Sequence, residues 1–394
     1  MSSPTPVITR PAPPKFEPIK SKRAALGPLF GLCLGGILGF IGVRYGAALF
    51  LPLPPPKALA LLELAALPVL WLVVVGFHEL GHLIGGRLGG GRMLLWTVGP
   101  LMLRRTPAGL RFGLNRSVNL AGGMAASLPK DPILMTPIRA AVMIAGGPFA
   151  SLVLAVAALW AAAQLTAAPA PISAIRAIAQ HQLLGTAALS LLIFLSSALP
   201  FGVGGFKSDG KRVYELLQGG PHSEQEAAML VLTTAGLAGQ RPSGYDPTLV
   251  AKAVSLRDGS LFDLYGHMTA YYYHADRQDW ARAQSCLDHV LTGRDILAPF
   301  IRDTLHCEYA WLLAELTGEA AIARAWLEGA GRLDFDPATR MRAEAAVLLA
   351  EGKREEAATK SREAIHALEH KSMSPVKSPF VSDALDSLLR RSTA

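Results

Sequence analysis

The chain has 394 residues, 51% of them hydrophobic, and a formal net charge of +8, with a mean hydropathy of +0.32. These values exclude an ordinary soluble domain and point to an integral membrane protein with two or three domains. Residues 1–210 carry 17 Lys and Arg against 5 Asp and Glu, whereas residues 211–394 carry 21 against 25. A positive excess beside apolar spans is a topology signal, so no nucleic-acid partner is expected.

Residues 1–24 contain six prolines and five basic side chains and read as a disordered tail. The segment is long and polar for a signal peptide, and no small-residue cleavage site follows it. Apolar runs near the ~20 residues a bilayer requires predict spans at about 25–51, 58–86, 139–164 and 182–202. In the first, Gly27, Gly31, Gly35 and Gly39 line one helix face and suit close helix packing.

The second span contains His78-Glu79-Leu80-Gly81-His82. A charged residue at the centre of a membrane helix costs roughly 2.5–3.5 kcal/mol, so three ionisable groups there need a purpose. Positions i and i+4 share a helix face, which lets both imidazoles reach one ion while Glu79 stands beside them as a general base. A catalytic zinc site needs a third protein ligand. No glutamate or cysteine lies between His82 and Glu215, and the other candidates are Asp131, His181 and Asp209. His181 is expected on the opposite side of the membrane. Asp209 is the expected ligand, with Asp131, in a Pro-flanked turn, as the alternative. A helix N-cap is the competing structural role for Asp209.

The segment 87–139 carries eight basic residues and the tail five, while the alternate loops offer Lys57 and Arg176. The tail, this central loop and the C-terminus are therefore expected in the cytoplasm, in a bacterial cytoplasmic membrane. Met93 to Leu103 is apolar, and Arg104 to Asn115 reads as a short hairpin around Pro107-Ala108-Gly109. Two environments suit it equally: membrane depth, where protein or a water cavity satisfies its backbone, and the membrane surface.

From Lys211 the pattern turns to amphipathic helix. Stretches beginning at Trp280, Ala321 and Glu356 resemble one another at intervals of 41 and 35 residues, near the period of tetratricopeptide-type helix pairs. A cytosolic helical-repeat-like domain is expected over 211–373, then a linker and short helix over 374–394. Such arrays present a binding surface, so a protein partner is expected. Cys286 and Cys307 there, and Cys33 in the first span, lack metal or disulfide spacing.

These residues resemble the site-2 protease family of intramembrane zinc metalloproteases. Besides the histidine motif, Ala145-Gly146-Gly147-Pro148 resembles the family's glycine-proline motif, and Pro200 through Ser208-Asp209-Gly210 its proline and aspartate-glycine motif. The resemblance covers roughly residues 58–215. It implies zinc bound by His78, His82 and Asp209, catalysis by Glu79, and regulated proteolysis of a membrane-spanning substrate near the cytoplasmic face. Ser151 and Ser197 stand where members often carry asparagine, and no segment resembles a PDZ module. The substrate-binding residues are not indicated. The expected fold is an all-α polytopic membrane protein of about four helices in domain 25–210, followed by the helical C-terminal domain. Two rival functions fit the composition: a non-catalytic membrane scaffold with a partner-binding module, and a metal transporter using the same three ligands. Glu79 separates them from a protease, which alone needs a general base.

Overall fold

The computed structural model describes residues 57–106, 109–115, 122–132, 135–167, 173–203, 206–331, 333, 336–370 and 378–394. The basic tail and the expected span at 25–51, with its glycine ladder, lie outside the described residues. So does the Pro/Ser linker before residue 378. The chain divides into two compact units, one running through Leu217 and the other formed by Pro132–Pro137 and Gln218–Ala394.

In the first unit, α1 (Lys57–Leu88), α2 (Pro137–Ala167) and α3 (Ala174–Ala198) are the long helices. Each is long and apolar enough to cross a membrane, α1 over Ala65–Leu88. The reason is visible on their outer faces. Val69, Trp71, Phe77, Ile84, Phe149, Trp160, Leu191 and Leu195 are all exposed, which only a lipid surrounding renders favourable. The inner faces carry small residues. Gly81 of α1 lies against the Gly146 backbone of α2, so closely that a Cβ on Gly81 would stand 2.5 Å from the Ala150 Cβ. Small residues at such crossings let helix backbones approach.

Helix α1 stops at Gly89-Gly90, where Gly90 adopts φ +91°, a conformation that glycine supplies at low cost. The helix expected at 182–202 instead runs from Ala174 to Ala198. Ser173 caps its start, its hydroxyl accepting the Arg176 amide at 3.2 Å. Pro200 disfavours helical geometry at Leu199 and ends it early. The polar first turns of α3 are satisfied by α2. The Arg176 guanidinium donates to the Leu165 carbonyl, and Gln180 donates to the Thr166 hydroxyl at 2.5 Å.

The central loop contains more strand than a single hairpin. Strands β1 (Gly91–Val98), β2 (Leu101–Thr106), β3 (Gly109–Leu114) and β4 (Met124–Pro129) form an antiparallel sheet of order β3-β2-β1-β4. The expectation of an all-α membrane domain with one short hairpin is corrected accordingly. The sheet packs on α1 through β1 and β4, with Leu95 and Val98 each 1% exposed. The Trp96 indole donates to the Gly76 carbonyl at 3.4 Å. A register shift between Met93 and Leu95 bends β1 where it pairs with β4. On the outer strand β3, Leu110, Phe112 and Leu114 point from one face and are exposed. A two-stranded ribbon, β5 (Gly202–Val203) and β6 (Phe206–Lys207), leads to α4 (Asp209–Gln218).

The second unit is helical. After α5 (Pro221–Leu237) and α6 (Pro247–Ala253), three helical hairpins follow. They are α7–α8 (Leu261–Asp276, Trp280–Thr292), α9–α10 (Pro299–Leu316, Ala320–Glu328) and α11–α12 (Pro337–Ala350, Arg354–His370). Each tight turn holds one residue at positive φ: Gln278, Gly318 and Gly352. The second helices begin at Trp280, Ala320 and Arg354, and three residues in, Ala283, Ala323 and Ala357 are each 0% exposed. A side chain of that size lets the two arms of a hairpin approach. The last helix, α13 (Pro379–Thr393), buries Phe380, Val381, Leu385 and Leu388. In the core, Tyr309 stacks on Trp326 with centroids 4.4 Å apart. Beside it lies a wholly buried ion pair: the Arg342 guanidinium donates to Glu308 at 2.5 Å, and the Tyr271 and Tyr272 hydroxyls donate to the same carboxylate at 2.6 and 3.1 Å.

Candidate metal centre

His78 and His82 project from one face of α1, a turn apart, with their Nε2 atoms 3.2 Å from each other. Asp209, the first residue of α4, brings Oδ2 to 3.4 Å from His78 Nε2 and 3.5 Å from His82 Nε2. The three residues form one of two groups of metal-ligand type among the described residues. A tetrahedral zinc with bonds of about 2.0–2.1 Å separates its ligand atoms by roughly 3.3–3.4 Å. The observed triangle fits that spacing with little adjustment.

The outer nitrogens of both imidazoles face α2. His82 Nδ1 lies 3.3 Å from the Met143 carbonyl oxygen, and His78 Nδ1 lies 3.0 Å from the Ser151 hydroxyl. A carbonyl only accepts, so His82 carries its proton on Nδ1 and turns the Nε2 lone pair toward Asp209.

Asp209 does not cap α4. Ser208 does so, its hydroxyl accepting the Lys211 amide at 3.2 Å while it donates to the Leu199 carbonyl at 2.6 Å. That leaves the Asp209 carboxylate to the imidazoles.

Glu79 lies next to the pair, against the start of β4. Its carboxylate lies close to the Ala125 backbone. At Gly123, where φ is +111°, a Cβ would stand 2.8 Å from Glu79 Oε1. The turn leading into β4 thus leaves no room for a side chain beside Glu79.

Of the other sequence candidates, Asp131 sits in the turn after β4 and His181 on α3, and neither joins the His78–His82 group. Sequence patterns alone do not reveal Ser151, the Met143 carbonyl or Ala125 as neighbours of the site. The one signal was Ser151 occupying a place where similar proteins often carry asparagine.

A family model described as peptidase family M50 matches residues 66–376. No curated protein and no solved structure matches the chain. With a helix-borne His-Glu-x-x-His motif, apolar helices of spanning length and a match over most of its residues, the chain belongs to peptidase family M50, the site-2 protease family of membrane metalloproteases.

Proposed function

We propose that the chain is an intramembrane zinc endopeptidase that cuts a membrane-spanning substrate near the cytoplasmic face, in regulated intramembrane proteolysis. His78, His82 and Asp209 hold the zinc, and Glu79 is the catalytic general base. The observation that carries this reading is the triangle of two Nε2 atoms and one Oδ2, with edges of 3.2, 3.4 and 3.5 Å and Glu79 alongside.

When bound there, zinc supplies Lewis acidity toward a water molecule and the scissile carbonyl. The remaining chemistry belongs to this chain. Glu79 takes the proton of the attacking water on its carboxylate and returns it to the leaving amine. A transmembrane substrate is itself helical, with its carbonyls engaged, so it must unwind before attack. The outer edge of β4, beside Glu79, is the sheet edge placed to pair with the unwound strand. The exposed Leu110, Phe112 and Leu114 of β3, with Arg104, Arg105 and Arg111 nearby in the hairpin, suit contact with a bilayer and its headgroups. We read the three hairpins of the second unit as a tetratricopeptide-type array that binds a protein partner on the cytoplasmic side. The membrane is that of a bacterial cytoplasm, with both termini inside.

The test uses purified full-length protein and a reporter membrane helix. Glu79→Gln should keep one zinc per chain and lose cleavage. Undiminished cleavage by Glu79→Gln would overturn the assignment. A cellular phenotype indifferent to Glu79→Gln but lost on deleting 211–394 would favour the scaffold.

A further inference from the structure

We infer that Ser151 is a positioning residue for the metal centre: its hydroxyl receives the Nδ1 proton of His78 and thereby points the Nε2 lone pair of His78 at the ion. This inference rests on reading His78, His82 and Asp209 as a zinc site.

Helix α2 supports the two imidazoles in different ways. Met143, Gly147 and Ser151 are four residues apart and share one face. Met143 offers its carbonyl to His82 at 3.3 Å, and Ser151 its hydroxyl to His78 at 3.0 Å. Gly147 lies under the His82 ring, where a Cβ would stand 2.5 Å from Cε1. For His82 the carbonyl dictates the tautomer. For His78 it does not, because a hydroxyl both donates and accepts. If Ser151 donated to Nδ1, the proton of His78 would sit on Nε2 and face the ion. With Nε2 of His78 turned to the ion, its proton sits on Nδ1, and the Ser151 hydroxyl oxygen 3.0 Å away is the group placed to accept it. Ser151 is 0% exposed and His78 9%, so water does not stand in for the hydroxyl once it is removed. An alanine leaves Nδ1 without a partner and lets the ring carry its proton on either nitrogen.

The test compares zinc affinity, by competition with a chelator, and the visible spectrum of the Co²⁺-loaded protein. Wild type, Ser151→Ala, Ser151→Thr and Ser190→Ala are measured in detergent as full chains. Ser190 is a matched control, because it is also 0% exposed on a membrane helix and its hydroxyl has no partner among the described residues. Ser151→Ala should bind zinc roughly 10- to 100-fold more weakly, still reach one equivalent at saturation, and shift the Co²⁺ bands. Ser151→Thr, which keeps the hydroxyl, should restore both, and Ser190→Ala should change neither. Wild-type affinity and spectrum in Ser151→Ala would overturn the inference, as would an equal loss in Ser190→Ala. If the threonine methyl does not fit, the comparison of the two alanine variants decides. Failure of the wild type itself to bind zinc would instead overturn the zinc reading of the centre.

Discussion

The described residues hold two groups made of two histidines and an aspartate, one in each unit, and they differ in geometry. In the membrane unit the ligand atoms of His78, His82 and Asp209 stand 3.2–3.5 Å apart. In the helical unit Asp263 lies 2.8 Å from His267 Nδ1 and 2.9 Å from His289 Nε2. The first spacing suits three atoms around an ion, and the second suits donors on an acceptor. The outer nitrogens differ as well. Both membrane histidines have their Nδ1 bonded by α2, as metal-binding imidazoles usually do. His267 Nε2 is buried without a partner. The Asp263 carboxylate, wholly buried, is already served by the Gly259 amide at 2.9 Å and by both histidines. The same residue types therefore make a candidate metal centre in one place and a hydrogen-bonded core cluster in the other. What separates them is the ring of groups behind the ligands.

The largest effect that sharpens this comparison is catalytic. Glu79→Gln should lower the rate of reporter cleavage by about 10²–10⁴-fold, whereas Asp263→Asn should leave the rate per folded molecule unchanged. Reporter cleavage under single-turnover conditions measures both. Next in size is stability of the helical unit. Arg342→Ala strands the buried Glu308 carboxylate and should cost about 3–5 kcal/mol, seen as a lower denaturation midpoint of the full chain with no change in zinc per folded molecule. His289→Ala removes one donor from buried Asp263 and should cost about 1–3 kcal/mol, by the same assay. If His289→Ala also released zinc, the contrast between the clusters would collapse.

The smallest expected effect is the response to acid. Burial pushes the His267 imidazole down, and likewise pushes that of His306 down, to about 4. Groups with a depressed folded value favour the neutral form, so their contribution is complete above the unfolded value of about 6.5 and is lost as pH falls from there toward 4. The helical unit should weaken by on the order of 2 kcal/mol between pH 7 and pH 4. Denaturation of wild type across that window, followed by the emission of buried Trp326 near His306, tests the sign. Greater stability at pH 4 would contradict it.

Much of the site was legible because helical periodicity alone places His78, Glu79 and His82 together. Asp209 was reachable by elimination, since so few anionic side chains occur between His82 and Glu215. Its release from capping was not legible, because Ser208 and Asp209 are both good caps and only the fold shows which one is used. Strand β4 was hidden for a different reason. Met-Ala-Ala-Ser-Leu-Pro has no β-branched or aromatic residue, and its conformation comes from pairing with β1 and packing on α1. The boundaries of α3 were blurred because Gln180, His181 and Gln182 interrupt the apolar run that marks a span. In the helical unit, the starts of α8, α10 and α12 fall within two residues of the stretches seen in the sequence, because each turn repeats a similar pattern. The Glu308–Arg342 and Asp263–His289 contacts join residues 34 and 26 positions apart on different helices, and no local pattern announces them.

The most direct measurement of the central claim is metal content per chain in purified wild type, His78→Ala, Asp209→Ala and His289→Ala. The account predicts one equivalent of zinc in wild type and His289→Ala, falling sharply in the other two. Zinc retained by Asp209→Ala, or lost from His289→Ala instead, would contradict it.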